Sequence, residues 1–213
     1  MSDVKLKPAR LPKAFSDWFA GRGWKARPHQ TAMLAAARAG LSTLLIAPTG
    51  GGKTLAGFLP SLVALSKRAA PKPGAPRPGL HTLYISPLKA LAVDVARNVE
   101  APVAEMGLDI RVETRTGDTP PAKRRRQKDN PPDILFTTPE QLALLLADAG
   151  AARFFKNLDC VILDEIHSLV ASKRGDLLAL GLARLRRLAP DARMTGLSAT
   201  VHDPERLRRF LVP

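Results

Sequence analysis

The run Gly50-Gly51-Gly52-Lys53-Thr54 constrains this chain more than any other feature. It lies between an apolar stretch, Leu44-Leu45-Ile46, and a helix-like segment, Leu55 to Leu65. Strand, glycine-rich loop and helix, in that order, make a phosphate cradle. Glycines let backbone N–H groups turn inward around an anion, and the new helix adds its unpaired N–H groups and the positive end of its dipole. Thr49 and the three glycines form the cradle. Lys53 is placed to reach the β- and γ-phosphates, and the Thr54 hydroxyl to hold Mg²⁺. The loop opens with Ala47 where the general pattern has glycine. It therefore reads A-x-T-G-x-G-K-T, unlike the loops of kinases and GTPases.

Apolar runs that predict strands recur at Thr43–Ala47, Thr82–Ser86, Ile110–Thr114, Asp133–Thr137, Asp159–Leu163 and Arg193–Leu197. Helix-like segments alternate with them over Leu55–Ser66, Leu88–Met106, Glu140–Ala147, Leu177–Leu188 and Pro204–Phe210. Alternation of this kind predicts an α/β fold, a mostly parallel central sheet with helices on both faces. Residues 1–12 read as a mobile tail ahead of a short helix around Ala14–Phe19, and Pro71 to Gly79 as a surface loop that neither helix nor central strand tolerates. Residues 13–213 form the folded domain.

Hydrophobic residues make up 45% of the 213, enough for one substantial core, but aromatics are only 5%, so Leu, Ala, Val and Ile must fill it. Cys160 sits in an apolar stretch and reads as a core residue. A single cysteine allows no intrachain disulfide, which suits a reducing compartment. Met1 to Arg10 has no apolar core of a secretion signal, and no run approaches the roughly 18 apolar residues of a membrane span. The formal charge of +14 favours a polyanionic partner.

Val161-Ile162-Leu163-Asp164-Glu165-Ile166-His167 is an apolar strand ending in two carboxylates. Phosphoryl transfer to water needs a metal anchor and a group that orients the water. Asp164 suits the first role together with Thr54, and Glu165 the second. His167 is placed to sense the γ-phosphate. Ser198-Ala199-Thr200 ends a further strand, and the Ser198 and Thr200 hydroxyls are candidates for linking the nucleotide site to another domain.

With these elements in order, the chain resembles a superfamily 2 helicase of the DExH-box type. Motif I is Ala47–Thr54, motif Ia Ser86-Pro87-Leu88-Lys89-Ala90-Leu91, motif Ib Thr137-Thr138-Pro139-Glu140, motif II Asp164–His167 and motif III Ser198–Thr200. A Thr116-Gly117-Asp118 element lies between Ia and Ib. Arg27-Pro28-His29-Gln30 resembles the adenine-reading Q element, with Gln30 as reader. The wording LYISPLKALAVDVARN, RTGDTP, PPDILFTTPEQL and SKRGDLLALGLARL looks like the Lhr group, most of all its bacterial ligase-associated members. The resemblance implies a RecA-like fold, ATP and Mg²⁺ as cofactors, and 3′-to-5′ movement on single-stranded or partly duplex DNA during repair. RNA and RNA–DNA hybrids remain alternatives. It also implies DNA ligase or nuclease partners and a bacterial cytoplasm, at the nucleoid. Motifs IV to VI, which in such helicases lie on a second RecA-like domain, are absent from this sequence. The 213 residues thus correspond to a first motor domain, expected to bind ATP and to be nearly inactive alone.

For the nucleic acid itself, Pro87, Lys89, Thr137 and Thr138 fall at strand ends beside helix starts, where backbone N–H groups and small hydroxyls bind phosphates without reading bases. Thr116 and Gly117 join them by resemblance. Lys173-Arg174-Gly175 reads as a loop-like basic spot. Lys123-Arg124-Arg125-Arg126 and Lys128 lie on a short helix over Pro120–Lys128 that Thr119 would cap. Four consecutive basic residues spread around a helix and cannot all face one strand. Two other function classes fit less well. A regulatory module without turnover conflicts with intact Lys53, Asp164 and Glu165. A GTPase would need a guanine-reading Asn-Lys-x-Asp, which is missing.

Overall fold

A computed structural model describes residues 6–48, 50–69, 77–170, 172–199, 201 and 203–211. Among them, ten helices and six strands follow one another as α1 (Lys13–Gly21), α2 (Pro28–Arg38), β1 (Thr43–Ile46), α3 (Lys53–Leu65), β2 (Thr82–Ile85), α4 (Lys89–Glu105), β3 (Val112–Arg115) and α5 (Pro121–Asp129), then β4 (Ile134–Thr137), α6 (Pro139–Ala147), α7 (Ala151–Phe155), β5 (Cys160–Leu163), α8 (Ile166–Val170), α9 (Lys173–Leu188), β6 (Arg193–Ser198) and α10 (Pro204–Leu211). The strands form one sheet in the order β1-β6-β5-β2-β4-β3, with every pairing parallel.

Side chains alternate across each strand, and the sequence fills both sides. Leu83, Ile85, Leu135, Val161, Leu163 and Met194 face the layer made by α6 to α10. Tyr84, Ile134, Phe136, Cys160, Ile162 and Leu197 face α1 to α4. The few aromatics are concentrated on this second face. Phe58, Tyr84 and Phe136 pack with ring centroids 4.8–5.4 Å apart. Cys160 lies buried among them, as its apolar setting predicts. Gly57 allows α3 to lie against the sheet: a Cβ there would come within 3.0 Å of Leu197 Cδ1.

The expected strands are present to within two residues at each end. Several places differ. Residues 6–12 have no regular structure, yet Ala9 and Leu11 pack on the core and Ala9 N–H donates to the Thr31 carbonyl, so the chain is tied down before residue 12. Lys173-Arg174-Gly175 is the first turn of α9, not a loop, because Ser172 caps that helix by accepting from Gly175 N–H. Thr119 does not cap α5. Pro120 holds that position, and Thr119 Oγ1 instead accepts from Thr116 N–H at 2.9 Å. Helices α2, α7 and α8 fall outside the expected segments, although Pro28 at the start of α2 and the reciprocal Arg27–Gln30 bonding mark a helix beginning. Of the Pro71–Gly79 loop, residues up to 76 lie outside the described residues; beyond them Arg77 donates to Asp133 Oδ2 at 2.7 Å.

Candidate nucleotide and nucleic-acid sites

Both sites lie at the carboxyl end of the sheet, where parallel α/β folds place their ligands. The chain leaves β1, turns through Ala47 to Gly52 and enters α3 at Lys53. Ala47 N–H donates to the Ser198 carbonyl, fixing the turn to β6. Gly50 and Gly52 have φ of 76° and 75°, a conformation open to glycine at little cost. Gly51 has a different reason: a Cβ there would lie 2.8 Å from the Pro48 carbonyl oxygen. Thr49 and Thr200 lie outside the described residues.

Lys53 opens α3 yet is 8% exposed, and its ammonium has no hydrogen-bond partner among the described residues. Among the described residues the one carboxylate within 4 Å of it is Glu165, with Oε1 at 3.9 Å. A buried ammonium without a close partner is costly in isolation and well suited to an incoming polyphosphate. Strand periodicity brings the acids to the same place. Ile162 faces the α3 side of β5, and Asp164, two residues on, follows it. Tyr84 on the neighbouring strand donates its hydroxyl to Asp164 Oδ2, and Glu165 N–H donates to Oδ1 at 2.9 Å. Burial first, and the Asp164 charge second, push the Tyr84 hydroxyl well above the usual phenol range, so it remains a donor. Glu165 adopts φ of 46°, the one positive value among the described non-glycine residues. His167, on the first turn of α8, bonds Ser198 Oγ through Nδ1 at 3.0 Å and approaches Glu165 Oε2 at 3.4 Å through Nε2. Lys53, Asp164, Glu165, His167 and Ser198 thus form one connected group.

Beside the cradle a cleft of about 630 Å³ is lined by Trp18, Trp24, Arg27, Gln30, Gly52 and Thr54 among others. Gln30 is buried, with Oε1 accepting from Arg27 N–H at 2.9 Å. Its Nε2 lies against Gly52, 3.2 Å from where a Cβ would stand. Arg27 donates to the Gly50 carbonyl at 3.3 Å. Trp24 is 49% exposed, and Arg22 lies over its ring and that of Trp18 while bonded to Glu105. Sequence reasoning picked Gln30, included Arg27 only as part of the Q element, and missed Trp24 and Tyr84. For the tryptophans no spacing signal exists, since they meet the cradle only through the folding of α1.

The second group sits at the ends of β2, β3 and β4. Pro87 and Leu88 bridge β2 to α4, and Lys89 begins that helix, its ammonium 2.8 Å from Asp118 Oδ2. Thr138 is the N-cap residue of α6. Thr137 is fully buried and donates its hydroxyl to the Arg115 carbonyl, so that side chain shapes the turn and is not offered to a ligand. Much of the basic helix α5 is likewise committed inward. Arg124 donates to the Thr116 and Gly117 carbonyls, Arg126 pairs with Glu113 at 2.6 Å, and Lys128 pairs with Asp148. Lys123 and Arg125 remain for solvent. Arg174 donates to Glu140 Oε1 at 2.5 Å and to the Pro87 carbonyl. Lys173 is exposed beside it.

A model of the DEAD/DEAH box helicase family matches residues 27–207. The chain belongs to that family. Its relatives include the Lhr helicase/probable uracil glycosylase of Mycolicibacterium smegmatis, 47% identical over 92% of this chain and 13% of that protein. The Lhr helicase/uracil glycosylase of Escherichia coli K12 is 39% identical over 99% of this chain and 15% of its own length. Among solved structures, the Mycobacterium smegmatis helicase Lhr bound to ssDNA and AMP-PNP superposes with a TM-score of 0.85 at 42% identity, over 95% of this chain and 26% of that one. The DUF1998 helicase MrfA superposes at 0.81 with 28% identity, over 96% of this chain and 32% of that one. This helicase domain therefore spans between about an eighth and a third of the length of these four relatives. The RecA-like fold and the Lhr kinship expected from the motifs are both present, and the family uses ATP. No helix among the described residues is long and apolar enough to cross a membrane.

Proposed function

We propose that this helicase domain is the nucleotide-binding half of an ATP-driven motor that moves along single-stranded or partly duplex DNA. The observation that carries this reading is the buried ammonium of Lys53, without a hydrogen-bond partner among the described residues and 3.9 Å from Glu165, behind a glycine loop. In this reading the Gly50–Gly52 backbone, Lys53 and Thr54 hold the triphosphate. Thr54 and Asp164 hold Mg²⁺, which neutralises charge on the phosphate oxygens. Glu165 orients the attacking water, and the His167–Ser198 pair passes the state of the site to a second motor domain. Gln30 reads adenine, with Trp24 and Arg27 walling the base pocket. Pro87, Lys89, Thr116, Gly117 and Thr138 line the strand, with Lys173 at its edge, through backbone and hydroxyl contacts blind to sequence. Thr137 and Arg174 support those contacts from below. The relative at 42% identity was captured with ssDNA and AMP-PNP, which favours DNA over RNA. Repair in a bacterial cytoplasm, at the nucleoid with ligase or nuclease partners, extends the same reading.

A titration with fluorescent ATP and GTP analogues, with and without oligothymidylate or oligouridylate, tests it. Lys53→Ala removes a charge-assisted contact worth about 1.5–3 kcal/mol and should weaken ATP binding about tenfold or more. Gln30→Ala should narrow the gap between ATP and GTP. Unchanged ATP affinity in Lys53→Ala removes the phosphate-loop assignment, and equal wild-type affinity for both nucleotides removes the Gln30 role.

A further inference from the structure

Among the described residues Arg174 is the one basic side chain at the proposed strand site that bonds to two of its loops at once. Its Nε donates to Glu140 Oε1 at 2.5 Å, on the first turn of α6 after Thr138. A second nitrogen donates to the carbonyl of Pro87, ahead of Lys89. Glu140 answers strongly: the Arg174 hydrogen bond, ahead of the Thr138 hydroxyl, holds its carboxyl down at about 2, well below the ordinary range. Arg174 is itself anchored from behind. Gly175 packs against α8, where a Cβ would overlap the Leu169 carbonyl oxygen, and Ser172 caps the same turn. Helix α8 starts at Ile166, directly after Asp164 and Glu165. One guanidinium thus joins the Pro87–Lys89 loop, the start of α6 and, through its backbone, the helix that carries His167.

We infer that Arg174 is a positioning residue: through Glu140 and the Pro87 carbonyl it sets the spacing of the two phosphate-contacting loops and does not itself hold the strand. The inference rests on the strand path proposed above. A lysine cannot take its place, because a single ammonium lacks the planar fork that reaches a carboxylate and a carbonyl in two directions. Glu140 is the partner that makes the spacing, not an accidental surface acid.

The two roles predict opposite signs for Glu140. Were Arg174 a direct phosphate ligand, removing Glu140 would delete a nearby negative charge and release the guanidinium, and a strand would bind as tightly or more tightly. As a positioning pair, the two side chains act as a unit. Glu140→Ala should weaken binding of fluorescein-labelled oligothymidylate about tenfold, as should Arg174→Ala, with the double variant no worse than either alone. Arg174→Lys should not rescue. Thermal unfolding and nucleotide affinity, measured on the same preparations, separate a loop shift from a folding loss. Glu140→Gln keeps the side-chain length and carries the test where an alanine variant is unfolded. Unchanged or tighter binding in the Glu140 variants, or additive losses in the double variant, overturns the inference and leaves the strand site standing. Absence of strand binding by the wild type overturns the strand site itself, and this inference with it.

Discussion

Glu165 pays locally for its position. A left-handed backbone costs a residue with a Cβ on the order of 1 kcal/mol, and such residues persist only where neighbours over-determine them. Here Asp164 Oδ1 holds the Glu165 N–H, and α8 starts at the next residue. The strain turns the carboxylate toward Lys53 and His167 rather than along the strand. At the other end of the sheet a different residue governs stability. His81 is 3% exposed, with Nδ1 2.7 Å from Thr82 Oγ1 and Nε2 3.6 Å from Asp159. Burial, opposed by Asp159 and aided by Arg68 and Arg193, lowers it from 6.5 to about 4. The unfolded chain therefore binds the proton more readily than the folded one. Stability from neutral His81 is complete above about pH 6.5 and falls as the pH drops toward about 4, by up to about 3 kcal/mol. Urea midpoints at neutral and mildly acidic pH should separate more for the wild type than for His81→Gln. Equal separation would mean that other groups carry the acid sensitivity.

At the scale of elements, the strands and long helices were legible because both faces of the sheet carry period-two apolar residues and the long helices carry an apolar stripe. The meeting of the proposed nucleotide group was legible for a related reason: Lys53, Asp164 and His167 sit at ends of elements whose order brings them together. What escaped was set by packing. Gly175 looks like a helix breaker in sequence, yet it sits inside the first turn of α9 because only hydrogen fits against Leu169. The basic residues of α5 and Arg174 look like ligands for a polyanion, and much of their charge is spent on Glu113, Asp148, Glu140 and loop carbonyls. No periodicity reveals which arginines find internal acids. Gly175→Ala should cost about 1–3 kcal/mol, because the new methyl group meets backbone rather than a movable side chain. A thermal unfolding midpoint within error of the wild type would show that α8 and α9 can part without penalty.

The described residues place the proposed nucleotide group and the proposed strand group on one end of a single sheet, with β2 and β5 side by side between them. The net charge of +14 favours polyanions in general, but the proposed strand contacts themselves are few. Lys89 and Lys173 are the exposed lysines there, and Lys89 is shared with Asp118 in a pair that solvent screens. Lys89→Ala should lower the log–log salt slope of single-strand binding by about 0.7, while Asp118→Asn should tighten binding at low salt, and the gain should vanish as salt rises. A preference for one oligonucleotide sequence would contradict backbone recognition. Turnover is a separate matter from binding. In the proposed reading Lys53, Asp164 and Glu165 would supply phosphate, metal and water functions from one side of the nucleotide. The transition-state charge on the far side is usually met by an arginine finger, worth about 10³–10⁵ in rate. Movement along a strand further needs two domains that close and open around the nucleotide. The 213 residues tested by themselves should bind ATP, hydrolyse it very slowly and show little stimulation by DNA. A longer chain carrying motifs IV to VI should restore both activities, and Glu165→Gln in that chain should abolish turnover while sparing ATP binding. Vigorous DNA-stimulated hydrolysis by the 213-residue chain would mean that these residues complete the site unaided, and the assignment of half the chemistry to a second domain would fall.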